Sequence, residues 1–137
     1  MHKAGISPIL GDVMQPETLT GLPCAETVLF AIGYDRLSEH SIRALYVEGL
    51  RHVLHALPAD SGRLVYISST GVYGQTDGRW VDEMSECVPA RAGGQACLDA
   101  ENRLRRHPYG DRSVILRMAG LYGPGRVPYL RDMAAGE

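Results

Sequence analysis

Val65-Tyr66-Ile67-Ser68-Ser69-Thr70-Gly71-Val72-Tyr73-Gly74 is the stretch on which the reading of the fold turns. Its β-branched and aromatic start favours extended chain. The run of hydroxyls that follows ends the apolar pattern as a strand does on entering a turn. Working outward, similar apolar runs occur at Ser7 to Leu10, Thr27 to Ile32 and Ser113 to Met118, and the quoted one begins at Arg63 and runs to Ser68. Helix-period segments separate them, the pattern of an α/β protein with parallel strands. Val28 to Ile32 and Val114 to Leu116 are continuously apolar, which predicts strands covered on both faces by helices.

Between the second and third runs, Ile42, Leu45, Tyr46, Leu50, Val53, Leu54 and Leu57 recur at spacings of three and four. This predicts a helix from Ser38, as N-cap, to Leu57, stopped by Pro58. Gly49 lies on the same stripe and predicts a close approach of helix to sheet. A second helix is predicted from about Gly94 to Arg106, carrying the spaced pair Glu101 and Arg105 and ended by His107-Pro108. A short one is predicted from Pro16 to Gly21.

The chain has 137 residues, 45% hydrophobic and 22% charged, with a net charge of -2. That is the composition of one globular domain. With 14 basic residues against 16 acidic ones and no basic block, neither a nucleic-acid nor an anionic-membrane partner is expected, so function is sought in a small-molecule site. Lys3 is the only lysine, which excludes a P-loop lysine or a Schiff-base lysine inside the fold. Cys24, Cys87 and Cys97 form no Cys-x-x-Cys pair, so neither a disulfide framework nor a zinc site is expected and a reducing cytoplasm is the default location. No signal-peptide pattern and no membrane-spanning run of about 18 apolar residues is present.

An apolar strand ending in Ser68, Ser69 and Thr70 puts hydroxyls at the carboxyl edge of a parallel sheet, where open α/β sheets bind ligands. Capping of the strand end is the alternative role for the same hydroxyls. Three further segments keep company with this one: Gly11-Asp12-Val13 followed by Pro16-Glu17-Thr18-Leu19, then Val28-Leu29-Phe30-Ala31-Ile32-Gly33, and finally Leu116-Arg117-Met118-Ala119-Gly120-Leu121-Tyr122-Gly123-Pro124-Gly125-Arg126. In this order the four segments cover nearly the whole chain. They resemble the extended short-chain dehydrogenase/reductase family, the NAD(P)-dependent nucleotide-sugar epimerases and dehydratases, in an atypical branch.

The resemblance implies a partial Rossmann-type doubly wound parallel sheet, with NAD or NADP as cofactor and a small-molecule carbonyl or hydroxyl substrate, such as a nucleotide sugar. It implies catalytic roles for Ser69, with Thr70 in reserve, through a hydrogen bond to the substrate oxygen. It also implies cofactor contacts at Asp12, Ala31, Ile32, Gly33, Ala119 and Gly120. Tyr73 is expected to support its loop, and Glu83 stands as a candidate substrate contact. The family pairs a tyrosine acid/base with a lysine four residues later, and those two positions fall here on Gly93 and Cys97, neither of which does that chemistry. Cys97 as a thiolate substitute for that pair is the alternative to its plainer reading as a small apolar helix residue. The glycine-rich turn Gly-x-x-Gly-x-x-Gly is absent, and the chain reads as the central and C-terminal part of the domain, residues 1–137, without the first two strands and the substrate lobe.

Two expectations follow from that reading. The isolated chain is expected to be inactive and to bind dinucleotide poorly. The Thr27 to Ile32 strand is expected to present a bare edge prone to self-association, with Ser7 to Leu10 packed loosely or added to that edge. The rival readings are a non-catalytic dinucleotide- or protein-binding sensor and an inactive gene fragment. His52 and His55 fall on a solvated face rather than forming a metal site, and no metal is expected. Trp80 stands as a lid or a hydrophobic plug, and Arg126 as a phosphate contact or a solvated arginine.

Overall fold

The computed structural model describes residues 5–125, 127 and 130–136. Three strands, β1 (Thr27–Phe30), β2 (Arg63–Ser69) and β3 (Ser113–Met118), form a parallel sheet in the order β1-β2-β3. Phe30 pairs with Tyr66, Tyr66 with Ile115 and Ser69 with Met118, so the three carboxyl ends share one edge. The chain is therefore an α/β protein with a parallel sheet flanked by helices, consistent with a partial Rossmann-type doubly wound fold. β1 ends at Phe30, and Ala31 to Gly33 continue as loop. The expected strand at Ser7 to Leu10 does not form. Leu10 is 98% exposed, and Ile9 only lines a hollow beside β1 with Leu19, Val28 and Phe30.

The helix between β1 and β2 begins later than the apolar spacing suggested. Ser41, not Ser38, receives the first free amide, its Oγ accepting from Ala44 N at 3.1 Å. Ser38 instead accepts from His40 N in the turn before it. A π-helical turn, Ala44–Glu48, runs directly into α1 (Gly49–Ala56). The second helix, α2 (Ala92–Arg105), starts two residues before the expected Gly94. The expected Pro16 to Gly21 helix is a 3-10 turn, Pro16–Leu19, and a short helix α3 (Leu130–Ala135) follows β3 at a distance.

Both crossovers step in the same direction, β1 to β2 and β2 to β3. Right-handed connections then deliver α1 and α2 to the same face of the sheet. Phe30, Leu64 and Tyr66 pack there against Val47, Leu50, Leu54, Ala100 and Leu104. On the opposite face Leu29 is 62% exposed, and Val114, Leu116 and Met118 are also exposed. The expectation of strands covered on both faces is thus corrected: burial alternates along β2 and β3. Gly49 is corrected too, because a Cβ there would lie 2.9 Å from Val13 Cγ2, so the close approach is to the N-terminal segment and not to the sheet. His52 secures the same contact. Half-buried rather than solvated, it donates from Nδ1 to the Val13 carbonyl at 2.7 Å while Arg51 donates to its Nε2.

Candidate functional site at the carboxyl edge

Ser69 is the last residue of β2. Its Oγ accepts from Gly71 N at 3.0 Å and caps a single 3-10 turn, Thr70–Val72. The capping role and a ligand role coexist, because a hydroxyl that accepts one bond still has its hydrogen to donate. Ser69 also lines a cavity of about 470 Å³ whose wall includes Tyr46, Gly71, Tyr73, Gly93 and Cys97. Thr70 lies outside that cavity: it is exposed, and its Oγ1 donates to the Met118 carbonyl at 3.5 Å, tying β2 to β3.

The wall owes its shape to glycine. A Cβ on Gly94 would lie 1.9 Å from the Gly71 carbonyl oxygen, so the start of α2 presses against the turn after Ser69 as only glycine allows. Gly93, its neighbour, would carry a Cβ 3.4 Å from Ile42 Cδ1 and faces the other helix. Cys97 stands one turn further along α2. The two positions at which the resemblance set the tyrosine and lysine are therefore gathered around Ser69, yet they hold no side chain and a thiol. Burial, ahead of the nearby Glu101 charge, pushes the Cys97 thiol up and disfavours the thiolate.

Beside the cavity lies a polar cluster of which the sequence showed only the spaced pair Glu101 and Arg105. Glu101, fully buried on α2, accepts from Ser68 Oγ at 2.6 Å, from Arg117 Nε and Nη2 at 3.0 and 2.8 Å, and from Arg105 Nη2 at 3.0 Å. Arg117 Nη1 also donates to the Tyr73 hydroxyl at 2.8 Å, which in turn donates to the Asp82 carbonyl at 2.7 Å. The guanidinium sits 5.0 Å from the centre of the Tyr73 ring. Tyr73 thus holds the loop after β2, and its hydroxyl is already engaged on both sides. Two sequence signals pointed here: Glu101 shares an apolar stripe with Cys97, Ala100 and Leu104, and Arg117 has the strand parity of Ile115.

Ala31, Ile32 and Gly33 follow β1, and Ala119 and Gly120 follow β3, so both groups stand at the same sheet edge as Ser69 without lining its cavity. Ala31, Gly33, Ala119 and Gly120 are exposed, and nothing lies within 4 Å of a Cβ built on Gly33 or Gly120. Small residues thus leave this part of the edge open. Asp12 is exposed in the N-terminal segment, where its Oδ1 accepts from Met14 N at 2.8 Å. Trp80, 98% exposed, plugs nothing. Glu83 lines a second hollow, about 400 Å³, with Thr70, Tyr73, Arg105 and Arg117. Arg126 and Lys3 lie outside the described residues. Among the described residues no three His, Cys, Asp or Glu side chains gather as a metal site, and no helix is long and apolar enough to cross a membrane.

No family model matches the chain. Protein YeeZ of Escherichia coli is 39% identical over 74 residues, which is 54% of this chain and 25% of YeeZ. Among solved structures, a protein of Methylobacillus flagellatus assigned as an NAD-dependent epimerase/dehydratase superposes with a TM-score of 0.73 at 33% identity, over 94% of this chain and 45% of its own. RMD of Pseudomonas aeruginosa, solved with NADPH, superposes with a TM-score of 0.75 at 24% identity, over 88% of this chain and 47% of its own. A Burkholderia cenocepacia protein assigned as an epimerase gives 0.71 at 22%, over 85% of this chain and 40% of its own. The chain spans under half the length of each of these solved proteins and, in the matched region, a quarter of YeeZ.

Proposed function

We propose that this chain, structurally homologous to NAD-dependent epimerase/dehydratase-like proteins, is part of an NAD(P)-dependent oxidoreductase of the epimerase/dehydratase type. The observation that carries the proposal is the Ser69 hydroxyl, set at the end of β2 in a cavity of about 470 Å³ shared with Gly93 and Cys97. The substrate is a small molecule reacting at a carbonyl or hydroxyl carbon, a nucleotide sugar being one such class. Ser69 donates to that oxygen. The cofactor, NAD or NADP, lies along the carboxyl edge against Ala31, Ile32, Gly33, Ala119 and Gly120, with Asp12 toward the adenine. When bound it supplies hydride transfer, and the chain orients the reacting carbon and excludes water. Residues 1–137 form the central and C-terminal part of that dinucleotide domain, and the three free cysteines suit a reducing cytoplasm.

A second reading, a dinucleotide- or partner-binding domain without turnover, is favoured by one observation. Gly93 and Cys97 stand where the resemblance puts the acid/base pair, and burial disfavours the Cys97 thiolate.

Turnover separates the two readings. In the full protein, Ser69→Ala is expected to lower nicotinamide-linked turnover on the order of 10²-fold, the usual cost of removing one donor to a reacting oxygen, with the dinucleotide Kd unchanged. Unchanged turnover in Ser69→Ala beside loss in Thr70→Ala would move the role to Thr70.

A further inference from the structure

A carbonyl or hydroxyl oxygen in the cavity has room for more than one hydrogen bond, and Ser69 supplies one donor. Gly93 supplies none and Cys97 only a weak one. Tyr73 is excluded because its hydroxyl already donates to Asp82 and accepts from Arg117. Arg91 also borders the cavity, but it is exposed to solvent just before α2, and the remaining hydroxyl in the wall belongs to Tyr46.

Tyr46 reaches the cavity from the helix opposite α2. It lies within the π-helical turn Ala44–Glu48, an interruption of helical geometry that recurs at functional sites. Ile42 marks the alignment, since its Cδ1 lies 3.4 Å from the Cβ position of Gly93. Tyr46 is four residues beyond Ile42 as Cys97 is four beyond Gly93, so Ile42/Gly93 and Tyr46/Cys97 form successive rungs between the two helices. Tyr46 thus lines the cavity wall opposite Cys97, one rung along from the position that Gly93 leaves without a side chain. Burial, with the nearby Cys97, pushes its ionisation up against the opposing effect of the Tyr34 backbone amide, so the group is protonated and able to donate at neutral pH.

We infer that the Tyr46 hydroxyl is the second hydrogen-bond donor of this site, holding the substrate oxygen together with Ser69 from the opposite wall. The inference rests on the reading of the Ser69 cavity as a carbonyl or hydroxyl site.

The test is binding of dihydroxyacetone, a small hydroxyketone, to the full protein with NADP⁺ or NAD⁺ present. The oxidised dinucleotide has no hydride to give, so reduction of the ketone does not compete with binding. Affinity is measured by ligand-observed NMR, and thermal unfolding verifies that each variant is folded. Tyr46→Phe keeps the ring and removes only the hydroxyl. It and Ser69→Ala are each expected to weaken binding about 3- to 10-fold, the effect of one hydrogen bond. Tyr46→His, which restores an N–H donor on a ring, is expected to recover part of the loss, which a purely packing role would not. If Ser69→Ala weakens binding and Tyr46→Phe does not, the role of Tyr46 is overturned and the Ser69 site stands. If the wild-type protein does not bind the probe, or neither variant changes its affinity, the site reading and the role of Tyr46 fall together.

Discussion

Arg117 grips Glu101 with two nitrogens, Nε on Oε1 at 3.0 Å and Nη2 on Oε2 at 2.8 Å, joining β3 to α2 beside the Ser69 cavity. Glu101 is fully buried, so its charge depends on these donors. A carboxylate stripped of its partner inside a protein costs far more than an exposed pair is worth.

Arg117→Ala is therefore expected to destabilise the fold by about 3–5 kcal/mol, measured by urea unfolding of the full protein. Retention of Arg105 and Ser68 as partners sets the lower end of that range. A loss below about 1 kcal/mol, the value of an exposed ion pair, would show that the cluster is not a structural tie.

The same carboxylate sets an acid limit. Burial works to raise the Glu101 carboxyl, but the bonds from Arg117 and Ser68 and the charges of Arg117 and Arg105 outweigh it and hold the group below its ordinary value of 4.5. A carboxylate depressed in the folded state contributes stability that is present above the unfolded value and lost as pH falls toward the folded one. Wild type is expected to lose stability as pH falls below about 4.5, and Glu101→Gln to lose less over the same interval at lower stability near pH 7. Parallel curves for the two proteins would remove Glu101 as the source.

How much of this was legible in the sequence differs from element to element. β2 and β3 were readable because each is a short apolar run bounded by turn residues, and α2 because its apolar spacing is regular. Ser7 to Leu10 misled, since four residues of strand composition form a strand only where another edge accepts their amides. Leu29 misled differently. Continuous apolarity suggests cover on both faces, but two crossovers of one hand place both helices on one side. The site was legible at Ser69, a hydroxyl at a strand end, and at Gly93 and Cys97 through the resemblance. Tyr46 was hidden because a tyrosine on an apolar helical stripe reads as core. The pairing of Glu101 with Arg117 was hidden because the two are 16 residues apart and meet only across the packed face.

β1 is an edge strand of the sheet, with exposed Leu29 and an apolar hollow running along it from Ile9 to Leu57. An uncovered apolar edge offers its amides and carbonyls to another chain. The 137-residue chain, taken by itself, is expected to dimerise or aggregate in sedimentation, with the amides of Val28, Leu29 and Phe30 exchanging faster than those of Val65 and Ile67. A monodisperse monomer with equal protection in β1 and β2 would contradict the edge argument.

The central claim is that the carboxyl edge beside Ser69 receives the reactive end of a nicotinamide cofactor. The most direct measurement is a crystal structure of the full protein with NADPH or NADH bound. The expected result is a nicotinamide ring lying between the loop Ala31 to Gly33 and Ala119-Gly120, its reactive face turned to the cavity that holds Ser69 and Tyr46. A nicotinamide bound away from that edge, or a full protein that takes up neither dinucleotide, would contradict the claim.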